Sequence, residues 1–197
     1  MNEVGARRRT RAAAAALLIF LVLTGSGCSL LHGDEEPADR DRLTLSDDGF
    51  SLAEFGDSIE QASGRLRERW GPEEVREMVC ESSATSRILA WDGVVLVFND
   101  RGLAGYLFGP RADDPITPVA WDVGKASTDQ GLRLGDTVAR ARELYGRNFV
   151  LTETSLGPEW WVETDAVGEH SIRGFATGLG PRDTIARIGA GDLCAVR

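Results

Sequence analysis

The sequence predicts an α+β fold, in which a tandem α-β-β-β repeat forms an antiparallel sheet with the helices packed on one face. Two observations predict this class. The first is an internal repeat, because Gly56–Ala62 matches Gly135–Ala141 at an offset of 79 residues. The second is the order of patterns after each copy, where a helical period is followed by β-rich runs separated by turn residues. Two such units, each apolar on one side, are expected to share one core.

The N-terminal segment has the features of an export signal. Arg7–Arg9 and Arg11 precede an uninterrupted apolar and small-residue run, Ala12–Thr24, that is 13 residues long. A positive flank, a short apolar core and small residues before a cleavage site are typical of a secretory signal peptide. A retained membrane anchor is the alternative, but a span needs about 20 apolar residues. We therefore predict a signal peptide at residues 1–27 and export by the general secretory route.

Cys28 resembles the lipidated cysteine of bacterial lipoproteins. It follows Gly25-Ser26-Gly27 at the end of the apolar run, as in the lipobox, where the cysteine becomes the mature N-terminus. The resemblance implies a thioether-linked diacylglycerol and an N-acyl chain such as palmitate, which together suffice for stable anchoring. It also implies a position on the outer face of the cytoplasmic membrane. A secreted protein without lipid is the alternative.

The charge distribution limits the partners of the exported part. The chain has 22 basic and 31 acidic residues, a net charge of −9, and residues 28–197 alone have a net charge of −12. A body this acidic has no electrostatic attraction for nucleic acid or anionic lipid. Residues 28–48 are rich in acids and poor in large apolar residues, which predicts a disordered tether. The tandem-repeat domain is expected at 49–197, with repeat 1 at about 49–112 and repeat 2 at about 129–197.

Two helices are expected, one in each repeat. Asp57 and Asp136 are predicted N-cap residues, and Glu60 is predicted to complete a capping box with Asp57. The first helix is predicted to end near Gly71-Pro72 and the second at Gly146. The acids Glu73, Glu74 and Glu77 are interpreted as a solvated helix extension. The inward stripes are Ile59, Ala62, Leu66 and Trp70 in the first helix, and Val138, Ala141, Leu144 and Tyr145 in the second.

Strands are predicted after each helix. In repeat 1, Asp92-Gly93 between two apolar runs is a strong hairpin signal, and Asn99–Gly102 is the next turn. The repeat 1 strands are expected at 88–91, 94–98 and 103–108, and residues 113–124 are the connector. In repeat 2 a short strand at 149–152 precedes strands at 159–164, 171–177 and 183–188.

Three cysteines and two histidines limit the chemistry that is available. With Cys28 lipidated, Cys80 and Cys194 form an even pair in an exported domain, which predicts a disulfide, with two free thiols as the alternative. The sequence has no Cys-x-x-Cys motif and only His32 and His170, so we expect no zinc site, no other metal and no cofactor. Hydrolase and nucleotide-binding motifs are also absent from the sequence. We therefore expect no catalytic residues, and a hydrolase site around His170 is the competing hypothesis.

Trp160 and Trp161 are adjacent in a predicted strand, so their side chains point to opposite faces of the sheet. The helices can bury only one of them. If the other face is open, the second tryptophan is exposed and can anchor a partner. Both residues are therefore partner-binding candidates, and burial of the second under another segment is the alternative.

Two segments carry a resemblance to known proteins. Gly131–Gly146, with its Gly-Asp-Thr-Val helix entry, resembles the β-lactamase-inhibitor-protein fold and the related small outer-membrane-assembly lipoproteins, which use a single repeat. Ile188–Cys194 is similar to the last strand of uncharacterised actinobacterial lipoproteins. The resemblance implies a non-enzymatic binding module, and no inhibitory residue is matched. The function expected from the sequence is thus a lipid-anchored module that engages a protein or envelope ligand through an open sheet face. A purely structural envelope lipoprotein is a further alternative.

Overall fold

The computed structural model describes residues 42–79, 85–110, 125–164 and 171–193. In these ranges the chain forms two α-helices, α1 (Ile59–Trp70) and α2 (Val138–Tyr145), and a 3-10 turn at Gly146–Asn148. Neither helix is long and apolar enough to cross a membrane. The strands in chain order are β1 (Thr44–Ser46), β2 (Gly49–Phe50), β3 (Ala53–Glu54), β4 (Glu74–Val79), β5 (Thr85–Trp91), β6 (Val94–Asn99), β7 (Gly102–Phe108), β8 (Ser127–Thr128), β9 (Phe149–Thr154), β10 (Gly157–Val162), β11 (Arg173–Ala176) and β12 (Ile185–Gly191).

The main sheet has eight strands and is built from two meanders. Its order is β4-β5-β6-β7-β12-β11-β10-β9, so the last strand of each repeat pairs with the last strand of the other, antiparallel, at the centre. A second, small sheet has the order β3-β2-β1-β8. Strands β1 to β3 precede α1 and β8 precedes α2, and β1 pairs with β8 in parallel. The α+β class is thus confirmed. Each repeat contributes four strands to the main sheet and one helix that packs on it. Strand β4 of repeat 1 was not predicted, whereas the four strands of repeat 2 include the short one expected at 149–152.

The repeat seen in the sequence is also a repeat of contacts. The N–H of Gly56 donates to the carbonyl of Leu103 (2.9 Å), and the Leu103 N–H donates to the carbonyl of Asp57 (2.8 Å). In the second copy, Gly135 and Asp136 make the same pair of bonds with Ile185, each 2.8 Å long. Both glycines have positive φ, 89° and 83°, a conformation that glycine adopts without strain. Each Gly-Asp motif therefore docks its helix start onto the last strand of its own repeat.

The cap of α1 lies one residue later than predicted. Ser58, not Asp57, is the N-cap, and its side chain accepts from the Gln61 N–H (3.2 Å). Gln61, not Glu60, completes the capping box by accepting from the Ser58 N–H (2.9 Å). The Asp57 carboxylate instead accepts from the Glu54 N–H (3.1 Å), which fixes the turn before the helix.

The second helix start shows the same displacement. Thr137 is the N-cap of α2 and accepts from the Arg140 N–H (3.1 Å). Asp136 accepts from the Arg133 N–H (2.8 Å), as Asp57 does from its own third-preceding residue. In both motifs the aspartate therefore shapes the turn and the following hydroxyl residue caps the helix.

The acids predicted as a helix extension belong largely to strand β4. Helix α1 ends at Gly71, whose N–H donates to the Arg67 carbonyl (2.9 Å) and whose φ of 78° takes the chain out of the helix. Pro72 then prevents the helix from resuming. From Glu74 the chain is extended and pairs with β5, with Val75 opposite Leu89.

Both helices pack against one face of the main sheet, as predicted. The inward stripes contribute the buried residues Ala62 and Leu66 from α1 and Val138 and Ala141 from α2 to a single core cluster. The strand residues of this cluster alternate along most strands, which is the pattern of one buried face. They include Leu89, Trp91, Val94, Leu96, Phe98, Tyr106, Phe108, Phe149, Trp160, Ile185 and Ile188. On β12, Ile185 and Ile188 are three positions apart, because the pairing with β11 has a register shift at Phe175/Ala176.

The predicted tether is too long at its C-terminal end. Leu43 and Leu45 are 1% and 0% exposed, and β1 pairs with both β2 and β8. The Tyr106 hydroxyl donates to the Ser46 carbonyl (2.5 Å), which connects this strand to the main sheet. Residues 43–48 are therefore part of the folded domain, because two alternating leucines outweigh the acids that surround them.

Candidate binding surface

Trp160 lies on the helix-covered face and is fully buried. Its ring stacks on Phe149, with centroids 5.7 Å apart and planes at 28°, and its Nε1–H donates to the Phe175 carbonyl (3.3 Å). Because the indole has its hydrogen-bond partner and no exposed surface, it cannot contact another molecule. Trp160 is therefore a core residue, which corrects its prediction as a partner-binding candidate.

Trp161 points to the opposite face of the same strand and is partly exposed. It lies directly opposite Val150 on β9 and Arg173 on β11. Directly opposed residues of antiparallel strands share a face, with Cβ atoms about 5 Å apart. Trp161 thus lies in a row between Val150 and Arg173.

A second row of side chains lies beside the first on this face. Glu159 is opposite Phe175, and Phe175 is opposite Arg187. The guanidinium of Arg187 lies 5.5 Å from the centre of the Phe175 ring, within the range of a cation–π contact. Arg173 donates to the Gly191 carbonyl, so its side chain is held across the neighbouring strand. The two rows define the outer patch: Val150, Glu159, Trp161, Arg173, Phe175 and Arg187.

The first half of the same face is different. Its outward residues Ile88, Val97 and Leu107 are 3%, 1% and 5% exposed. They share the face of Trp161, because Leu107 is opposite Gly189, which is opposite Arg173. In the second half, Phe175 of the outer patch is also buried (9%), whereas Val150, Glu159, Trp161, Arg173 and Arg187 are partly exposed. These five side chains are the accessible part of the predicted open face.

A small cleft of about 160 Å³ lies elsewhere, between the leading strands and α2. Its polar wall includes Asp47, Asp129 and Tyr145, and Tyr145 donates to the Thr128 hydroxyl (2.6 Å). Burial, together with the charges of Asp47 and Asp48, raises the pKa of Asp129 above its usual value. Burial also raises the pKa of the Tyr145 phenol, against the effect of the Thr128 hydrogen bond. The cleft is smaller than typical ligand pockets of 300–1,000 Å³.

Several predicted site residues lie outside the described residues. They are Cys28, the predicted disulfide partners Cys80 and Cys194, and His170 of the competing hydrolase hypothesis. Within the ranges that the structure describes, no three His, Cys, Asp or Glu side chains are grouped so that they could hold a metal ion.

Five members of the outer patch were not singled out from the sequence. Val150, Glu159, Arg173, Phe175 and Arg187 are scattered over four strands, and only the register brings them beside Trp161. The two-residue period of a strand is the signal that could have placed Glu159 on the face of Trp161, and Arg173 and Phe175 on a common face. Glu159 is two residues from Trp161, and Arg173 is two residues from Phe175, so each pair shares a face.

The comparisons with known proteins place few limits on the function. The chain matches no protein-family model and no curated protein. Among solved structures it is similar to the uncharacterised protein YfeY from Escherichia coli, with 9% identity and a TM-score of 0.46, over 77% of this chain and 98% of that chain.

Proposed function

We propose that this chain is a lipid-anchored, extracytoplasmic binding module, and that the outer patch contacts a protein or envelope ligand without catalysing a reaction. The observation that carries the proposal is the position of Trp161. It is partly exposed on the sheet face away from the helices, between Val150 and Arg173.

The side chains of the outer patch suit recognition. Tryptophan and arginine are enriched among the residues that dominate binding energy at protein interfaces. The patch is built on strands, and contacts within the sheet hold Arg173 and Arg187 in place. Side chains that are already ordered lose less conformational entropy when a partner binds. An aromatic side chain among fixed polar groups is therefore a suitable anchor for a partner.

The sequence supports the proposed location. The basic N-terminal flank, the short apolar run and Cys28 after small residues together favour export and lipid attachment on the outer face of the cytoplasmic membrane. Since residues 28–197 have a net charge of −12, electrostatic attraction to anionic lipids does not contribute to membrane binding.

The binding role is tested by quantitative affinity purification of the full chain from solubilised membranes. We expect one or more proteins or envelope components to co-purify with the wild type and to be reduced at least tenfold with Trp161→Ala. The matched control is Val75→Ala, since Val75 is an exposed apolar residue (57%) outside the outer patch. Identical profiles for wild type and Trp161→Ala, both folded by circular dichroism, would refute the role of this face.

The anchoring is tested separately by membrane fractionation. We expect Cys28→Ser to move the protein from the membrane pellet to the soluble fraction, while the wild type stays in the pellet. Retention of the variant after a carbonate wash would contradict anchoring through Cys28 and leave the test of the outer patch unaffected.

A further inference from the structure

The two edges of the main sheet differ in how they are protected. On β4, Glu74, Arg76 and Glu77 are exposed, and Arg76 pairs with Glu74 (2.7 Å) while Arg87 of β5 lies 3.7 Å from Glu77. Charged side chains on an edge strand are a common way to discourage pairing with another chain. On β9, the four residues Phe149–Thr152 carry no charge, and Glu153 is the one charged residue of the strand. The β4 edge thus has three charged side chains and the β9 edge has one.

The backbone of β9 has hydrogen-bonding groups available at the edge. Glu163 donates to the Asn148 carbonyl (2.8 Å), which sets the phase of the β9–β10 ladder. In an antiparallel ladder, hydrogen-bonded and non-hydrogen-bonded residue pairs alternate. The backbone groups of Val150 and Thr152 therefore bond to β10, whereas the N–H and C=O groups of Leu151 and Glu153 point away from β10, towards the edge of the sheet. No described residue takes up these outward groups of Leu151 and Glu153.

We propose that two copies of this chain pair through β9, antiparallel, about a two-fold axis at Leu151. In this register Leu151 faces Leu151 of the second copy, and Phe149 faces Glu153. The outward groups of Leu151 then bond reciprocally, and the Glu153 N–H donates to the Phe149 carbonyl. The Phe149 N–H is already used within its own chain, where it donates to Gly146.

The charges near the edge match this register. Arg147 precedes Phe149 by two residues, and both Arg147 and Glu153 are exposed. Since Phe149 faces Glu153 of the second copy, and Arg147 is in the 3-10 turn just before Phe149, the proposed register brings Arg147 of one copy to the same end of the pairing as Glu153 of the other, twice per dimer. The two Glu153 residues are four positions apart along the pairing, roughly 13 Å. The contact therefore brings opposite charges together and keeps like charges apart.

The pairing has a consequence for the outer patch. A two-fold axis normal to the sheet keeps the outer faces of both copies on the same side. Trp161 lies one strand in from the edge, opposite Val150, so the two tryptophans are three strand spacings apart across the sheet and two residues apart along the strands, roughly 16 Å in all. Two outer patches on one surface can bind an extended or repeated partner with avidity.

A cysteine cross-link tests the register. In a hydrogen-bonded antiparallel pair the Cα atoms are about 5.5 Å apart, which suits a disulfide. We expect full-length Leu151→Cys in detergent to form a covalent dimer on mild oxidation. The control is Val75→Cys, an exposed position on the charged edge, and the wild type gives the baseline for the native cysteines. Equal dimer yields for the three proteins would overturn the proposal.

A charge swap tests the second copy as the partner. By analytical ultracentrifugation of the full chain in detergent, we expect Glu153→Arg and Arg147→Glu each to weaken the dimer roughly three- to tenfold. The double variant should restore it, because each copy then again presents opposite charges to the other. Failure of the double variant to recover, or a monomer throughout, would overturn the proposal. Such results would mean that any strand that pairs with the β9 edge belongs to a different protein.

Discussion

Replacing Trp160 with alanine is expected to destabilise the fold far more than replacing Trp161, although the two residues are adjacent. Trp160 is 0% exposed, stacks on Phe149 and donates to the Phe175 carbonyl. Removing a buried tryptophan of this kind costs about 3–5 kcal/mol, because the cavity left behind closes only partly. For a protein of this size that corresponds to a fall in Tm of roughly 6–20 °C. Trp161→Ala removes partly exposed surface and should cost about 1 kcal/mol or less.

The assay is urea unfolding followed by far-UV circular dichroism, with both variants under identical redox conditions. Far-UV dichroism is chosen because each substitution alters the tryptophan fluorescence itself. Trp160→Phe serves as a control that keeps an aromatic ring and should retain most of the stability. An unchanged m-value would show that only stability had changed. Equal losses for Trp160→Ala and Trp161→Ala would refute the assignment of the two side chains to opposite faces.

Three further predictions concern stability. Ser58→Ala should cost about 1 kcal/mol by urea unfolding and Glu60→Ala almost nothing, because Ser58 is the N-cap; the reverse order would contradict this cap. Gly64 lies inside α1, and a Cβ added there would meet open space. Gly64→Ala should therefore raise the free energy of unfolding by about 0.5–1 kcal/mol. Gly56→Ala should instead lower the free energy of unfolding by about 1–2 kcal/mol, because φ at Gly56 is 89°, a conformation that alanine adopts only with strain. Shifts of the same sign for Gly64→Ala and Gly56→Ala would refute this contrast. Asp129→Asn should raise Tm slightly at pH 7 but not at pH 3. Burial and nearby carboxylates raise the pKa of Asp129 in the folded protein. The ionised carboxylate therefore destabilises the fold above that pKa, and the neutral asparagine removes this cost. An equal gain at both pH values would contradict this cause.

Local patterns predicted the elements whose signals lie within a few residues. The hairpin at Asp92-Gly93 forms as expected, with Trp91 paired to Val94 and Gly93 at a φ of 74°. The second turn is also as predicted, since Asn99 pairs with Gly102. These signals are strong because turn geometry restricts the residues that can occupy it.

Elements that depend on distant partners were not predictable in the same way. Strand β4 has charged residues at Glu74, Arg76 and Glu77 and lacks the two-residue apolar period of a strand, so its extended form is seen only from its pairing with β5. The small sheet consists of strands two or three residues long, too short to show a period. Each helix cap lies one residue later than its predicted position, since Asp57 and Ser58 are both suitable cap residues, as are Asp136 and Thr137.

The candidate surface was predicted in part. The two-residue period of a strand correctly placed Trp160 and Trp161 on opposite faces, but it could not decide which one the helices cover. That depends on the register across β9, β10 and β11, which also brings Arg173 and Phe175 to the outer patch. The site therefore follows from tertiary pairing more than from any motif.

Site-specific photo-crosslinking in living cells shows whether the outer patch contacts a partner. A photoreactive amino acid placed at position 161 of the full-length chain reports what lies against the outer patch, and one at position 75 reports the exposed β4 edge. We expect a discrete adduct with a protein or envelope component from position 161 and none from position 75. The same adducts from both positions, or none from position 161 with the protein folded and at the membrane, would contradict the proposed role of the outer patch.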